Sequence, residues 1–150
     1  MNDWHDASWD EAEAAWRGRL AADLLRYDQI AELHAVHRLG ATFPGRTGNE
    51  PTPGYDVMHE GSRIEVKAKL PSARPASQLY IEPQPAKRTG SDRFWFYLFG
   101  ESVGALEVWE VATADVFANL HIRRGTAITV DRVREIGRVI WREGRDCRGA

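Results

Sequence analysis

The run RFWFYLFG, residues 93–100, constrains this chain more than any other stretch. Its apolar residues follow one another without polar alternation, which marks a strand buried on both faces. Such a strand must sit inside a sheet, with a covering layer on each side. The 150 residues suffice for one layered domain with a single core. A hydrophobic fraction of 43% and a charged fraction of 28% are ordinary for a soluble globular protein, and six Trp supply bulk for that core. No apolar run approaches the roughly 20 residues a membrane helix needs.

The remaining elements are read around that strand. Ser8 followed by Glu11 is a capping box, and Trp9, Ala12, Trp16, Leu20 and Leu24 recur at helical spacing. A second helical segment, YDQIAELHAVHRLG, has Asp28 as N-cap and Gly40 as C-cap. Residues 44–54, PGRTGNEPTPG, form a loop by composition. YDVMHEGSRIEVKAKL then reads as a hairpin turning at EGSR. QLYIE is a short strand candidate, ALEVWEV and AITV are further strands, and ADVFANL is a helix capped by Thr113 or Asp115. Asp131 is expected to cap a last helix, RVREIGRVIWR. The order predicts a mixed α/β domain with a central sheet of about four or five strands flanked by helices. Residues 1–27 would carry the N-terminal helix, 28–120 the core and 121–150 a helical extension.

Charge narrows the function classes. The formal net charge is −2, which argues against a general nucleic-acid coating protein but not against a nuclease, whose metal-holding carboxylates lower the balance. The single cysteine, Cys147, leaves no internal disulfide framework and fits a reducing cytoplasm. The acidic N-terminus, MNDWHDASWDE, lacks the basic and apolar regions of a signal peptide. Of the 20 basic residues only Lys67, Lys69 and Lys87 are lysine. A lysine kept against such a bias points to a site that wants a compact ammonium rather than a planar fork.

Two of those lysines lie on the hairpin. On a strand, residues two apart share a face, so Glu65 and Lys67 project together, with Lys69 beyond them. Ile64, Val66 and Ala68 then face the core. An antiparallel partner strand brings Asp56 within several ångströms of Glu65. Two carboxylates that close call for a cation between them, and oxygen ligands suit Mg²⁺.

The pattern Asp56, spacer, Glu65-Val66-Lys67 resembles the motif of the PD-(D/E)XK nuclease superfamily, which includes many restriction endonucleases and junction resolvases. AELHAVHRLGA, with Glu32, Ala35, Leu39 and Gly40, is similar to the helix that precedes the motif in that family. RFWFYLF stands where the next core strand would lie. The likeness covers roughly residues 28–120 and implies a restriction-endonuclease-like core. It implies that Asp56 and Glu65 hold Mg²⁺ or Mn²⁺ with the main-chain carbonyl of Val66, that Lys67 positions the attacking water, and that Glu32 is a third carboxylate. Tyr55 stands where the family often has Pro, with Pro51 and Pro53 upstream. The substrate implied is DNA or RNA, in a homodimer or a larger complex.

Other residues are weighed more plainly. Lys69, Lys87 and Arg88, with Arg63, Arg74 and Arg93, are candidates for phosphate contact or for solvated surface. Arg134, Arg138 and Arg142 would line one face of the expected last helix. His34 and His37 are expected at or near the surface, Glu50 and His59 in solvent, and Gln78 just past the motif. Trp4 lies outside the helix and marks a candidate partner contact. Two function classes follow: a metal-dependent nuclease, or a nuclease-like fold without catalysis that serves as a binding or assembly module.

Overall fold

The computed structural model describes residues 3–18, 25–44, 54–69, 78–81, 90–100, 104–120 and 127–143. Strand β4 (Arg93–Phe99) lies at the middle of a mixed five-stranded sheet. On one side β2 (Ser62–Lys69) runs parallel to β4, and β1 (Val57–His59) lies antiparallel beyond it. On the other side come β5 (Leu106–Ala112) and β7 (Arg138–Glu143), each antiparallel to its neighbour. Phe94 through Phe99 are all buried, as the lack of alternation requires. The QLYIE and AITV strands stand apart: β3 (Gln78–Tyr80) and β6 (Ala127–Thr129) form a separate antiparallel pair.

Each face of the sheet has its own core. Trp95, Tyr97 and Phe99 pack with residues of α1 (Trp9–Trp16) and α2 (Tyr27–Leu39). Phe94, Phe96 and Leu98 pack on the opposite side with Leu79, Ile81, Val116 of α3 (Thr113–Ala118) and Val133 of α4 (Val130–Ile136). Among the described residues no helix is long and apolar enough to cross a membrane.

The helix signals hold with shifts of a residue or two. The Ser8 hydroxyl accepts the Glu11 N–H at 3.1 Å, and α1 buries Trp9, Ala12 and Trp16. Leu20 and Leu24 lie outside the described residues. The N-cap of α2 is Arg26 rather than Asp28, because the Gln29 side chain accepts the Arg26 N–H at 2.9 Å. Asp28 falls in the first turn, where its charge suits the helix dipole. Gly40 ends the helix with φ 78°. Thr129 caps α4 through its hydroxyl in place of Asp131, and α3 follows Ala112 without a side-chain cap. Trp4 sits in a short 3₁₀ turn and meets the Phe43 ring edge-on.

The expected terminal helix is the main correction. It stops at Ile136, and the chain continues as β7 on the edge of the main sheet. Gly137 makes the break: a Cβ there would meet the Val133 carbonyl oxygen at 2.7 Å and a Val111 methyl at 3.0 Å. Val139, Ile140 and Trp141 are strand formers, and the open edge of β5 gives them backbone partners. Arg134, Arg138 and Arg142 therefore line no helical stripe. Arg134 and Arg142 reach Glu107 at 3.0 and 4.0 Å, and Arg138 reaches Glu110 at 2.6 Å. Burial works to raise both glutamates, but these arginines, with the Trp109 N–H on Glu107 and Arg93 on Glu110, hold them below the usual range. Replacing Gly137 by Ala is expected to cost about 1–3 kcal/mol through this backbone clash, read as a lowered urea midpoint.

His34 is a second correction. It is 1% exposed, not near the surface. Its Nδ1 lies 3.0 Å from the Tyr97 hydroxyl, and its ring meets those of Trp9, Tyr97 and Trp141 edge-on. Burial, aided by Arg38, lowers its pKa to about 3. Between pH 6.5 and 3 the unfolded chain thus binds a proton that the folded chain refuses. Through His34, acid is expected to remove roughly 3–5 kcal/mol of stability over that window, and His34→Gln to abolish this contribution.

Candidate active site

The turn between β1 and β2 sets the site. Glu60 and Gly61 have φ 49° and 82°, a two-residue loop whose positive φ angles match the twist of the flanking strands. It pairs His59 with Ser62 and Val57 with Ile64. Carried one residue further, this register sets Asp56 across from Glu65. The Asp56 N–H donates to the Ile64 carbonyl at 2.8 Å. Asp56 itself lies just before β1 rather than within it.

The Asp56 carboxyl is held against β2, where its Oδ2 accepts the Val66 N–H at 2.7 Å. In an extended strand the N–H and C=O of one residue point to the same side. The Val66 carbonyl therefore faces the Asp56 side rather than β4. Glu65 is 2% exposed and its Oε2 lies 3.4 Å from the Lys67 Nζ, while the Lys67 side chain is 25% exposed. The structure thus brings Asp56, Glu65, Val66 and Lys67 together. The solvated strand face considered for Glu65 is not what is found.

Glu32 joins this group from α2, which packs against β1 and β2. Burial pushes its pKa up to about 9, and the charges of Asp56, Asp28 and Glu65 push the same way against a smaller pull from Arg26. Sequence reasoning missed Arg26 and Asp28 as members of this charge cluster. The signal was their placement before Glu32 at the start of the helix, Asp28 about one turn and Arg26 nearly two turns away.

The remaining candidates divide. Lys69 ends β2 and is half-buried. Arg63 is taken up by Asp92, with two side-chain contacts at 3.0 and 3.2 Å, and Arg93 by Glu110. His59 packs its ring against Trp95, and His37 is exposed, its Nε2 3.1 Å from the Ala7 carbonyl oxygen. Lys87, Arg88, Arg74, Glu50 and Cys147 lie outside the described residues. A cavity of about 580 Å³ at the start of α2, between Trp16, Tyr27, Asp28 and Ala68, is not lined by Asp56, Glu65 or Lys67.

Among the described residues no three His, Cys, Asp or Glu side chains are arranged to hold a metal ion jointly. The donors that the hairpin register sets side by side are all oxygens: the Asp56 and Glu65 carboxyls and the Val66 carbonyl. That set fits Mg²⁺, which keeps several waters and commonly takes only one or two carboxylates besides a substrate phosphate. The chain matches no protein-family model and no curated protein sequence.

Proposed function

We propose that the chain is a metal-dependent nuclease of the PD-(D/E)XK type, with a restriction-endonuclease-like core, that hydrolyses phosphodiester bonds in nucleic acid. The observation that carries this reading is the Asp56 carboxyl seated on the Val66 amide, beside the Glu65–Lys67 pair. Asp56, Glu65 and the Val66 carbonyl are the residues that would hold Mg²⁺ or Mn²⁺. The ion, when bound, neutralises phosphate charge and supplies Lewis acidity. Lys67, a mobile ammonium at the edge of the buried pair, positions the water whose oxygen forms the new bond to phosphorus. It also faces the negative charge that grows on the phosphoryl oxygens. The water gives up a proton as it attacks, the bond from phosphorus to the leaving sugar oxygen breaks, and that oxygen takes up a proton, so that water is added across the bond overall. Burial and the neighbouring carboxylates keep Glu32 protonated at neutral pH while no ion is bound.

Incubation with supercoiled, linear, branched and single-stranded DNA and with RNA, in Mg²⁺ or Mn²⁺ and with chelator controls, tests this. Cutting that chelator abolishes is the expected result. An intact substrate in every arm would leave the nuclease-like fold as a binding or assembly module.

A further inference from the structure

We infer that β3 provides a stacking platform for an unpaired nucleobase, so that the substrate is single-stranded, or locally opened, beside the bond that is cut. The inference rests on the nuclease reading and adds the class of substrate. The β2–β4 register pairs Glu65 with Phe94, Lys67 with Phe96 and Lys69 with Leu98. Cross-strand partners project to the same face of a sheet, so the Glu65 and Lys67 side chains share the face of Phe94, Phe96 and Leu98. Leu79 and Ile81 pack on that same face, and β3 lies next to β2. Strand alternation then turns Gln78 and Tyr80 away from the core. Tyr80 is 66% exposed, more than any other large hydrophobic side chain among the described residues. Its partners across the β3–β6 ladder put small residues beside it: Ala127 stands opposite Tyr80 and Thr129 opposite Gln78. Among the described residues these small partners leave the ring largely in solvent.

An aromatic ring with an amide two residues away on the same strand face suits a base: the ring stacks on its π-face and the amide reaches its edge. Lys67 and Lys69 on the neighbouring strand complement the phosphates of the same strand. A base inside a duplex presents no free π-face, which is why this surface selects an unpaired one.

The test measures binding in chelator, so that nothing is cut, of a fluorescently labelled single-stranded oligonucleotide and of its duplex at fixed salt. Tyr80→Ala is expected to weaken single-strand binding roughly 10- to 100-fold and to change duplex binding less than about two-fold. Tyr80→Trp, which keeps a stacking face, is expected to restore the affinity. Equal binding by Tyr80→Ala and wild type, or equal losses on strand and duplex, would overturn the platform while leaving the nuclease reading standing. Failure of the wild type to bind or cut any nucleic acid would overturn both. Tyr80 is exposed, so unchanged melting of Tyr80→Ala is expected and checks its fold.

Discussion

Asp56→Asn and Lys67→Ala are each expected to abolish the proposed metal-dependent cleavage, with a fall of at least about 10³-fold in the single-turnover rate. Asp56→Asn keeps the size of the side chain and an acceptor for the Val66 N–H, so the hairpin persists while the charge that attracts the ion is lost. Lys67→Ala also removes the cation beside Glu65, a carboxyl that is 2% exposed. Stripping a buried charge of its partner destabilises, here by roughly 1–3 kcal/mol because Lys67 is partly in water. Lys67→Arg separates the two effects: it preserves a positive charge near Glu65 but replaces the compact ammonium with a planar fork. Its melting temperature is expected near wild type and its rate near that of Lys67→Ala. Cutting by Lys67→Ala at the wild-type rate would remove Lys67 from the chemistry and the nuclease assignment with it.

The second large effect runs the other way. Glu32→Gln is expected to make the protein more stable. An ordinary glutamate in the unfolded chain releases its proton near pH 4.5, whereas Glu32 in the folded chain keeps it to about pH 9. Between those values the folded state binds the extra proton, so its stability falls as pH rises. The loss reaches about 3 kcal/mol by pH 7 and continues towards pH 9. Glutamine has the same shape and no proton to hold. The gap between variant and wild type is therefore expected to be small at pH 4 and to widen steadily in denaturant titrations at pH 6, 7 and 8. A gap independent of pH would show that burial and the neighbouring carboxyls do not raise the Glu32 pKa. His34 tilts the curve oppositely between pH 3 and 6.5, so the wild type is expected to show a plateau where the two slopes overlap.

Much of this arrangement was legible in the residues. The unbroken apolar run demanded a central strand covered on both sides. The spacing of Asp56, Glu65 and Lys67 demanded a hairpin that brought them together. What escaped was set by partners distant in the chain. Alternation assigned Glu65 to an outward face, but that face carries a second layer built from β3, α3 and α4, so outward is also buried. RVREIGRVIWR satisfies helix and strand periods alike over its length. The decision was made by Gly137, which lies against the Val133 carbonyl, and by Glu107 and Glu110 of β5, which reward arginines on an adjoining strand. His34 reads as a surface residue on a helix because no local pattern announces an aromatic cage drawn from Trp9, Tyr97 and Trp141.

The two-residue turn at Glu60 and Gly61 has a consequence for how the molecule assembles. Closing so short a loop costs little chain entropy, and hairpins form on a scale of roughly 1–10 μs. Asp56 and Glu65 belong to that hairpin, so their approach is among the earliest contacts expected. The parallel pairing of β2 with β4 must bring residues 62–69 to residues 93–99 across a long connection, and such pairings are slow. Docking of α2 brings in Glu32 from a comparable distance along the chain. The electrostatic conflict at Glu32 thus belongs to the late steps of folding, when enough apolar surface is being buried to overcome it. An acidic pair made early and a third acid forced in late let the chain bring these three carboxyls together without stalling at the first turn.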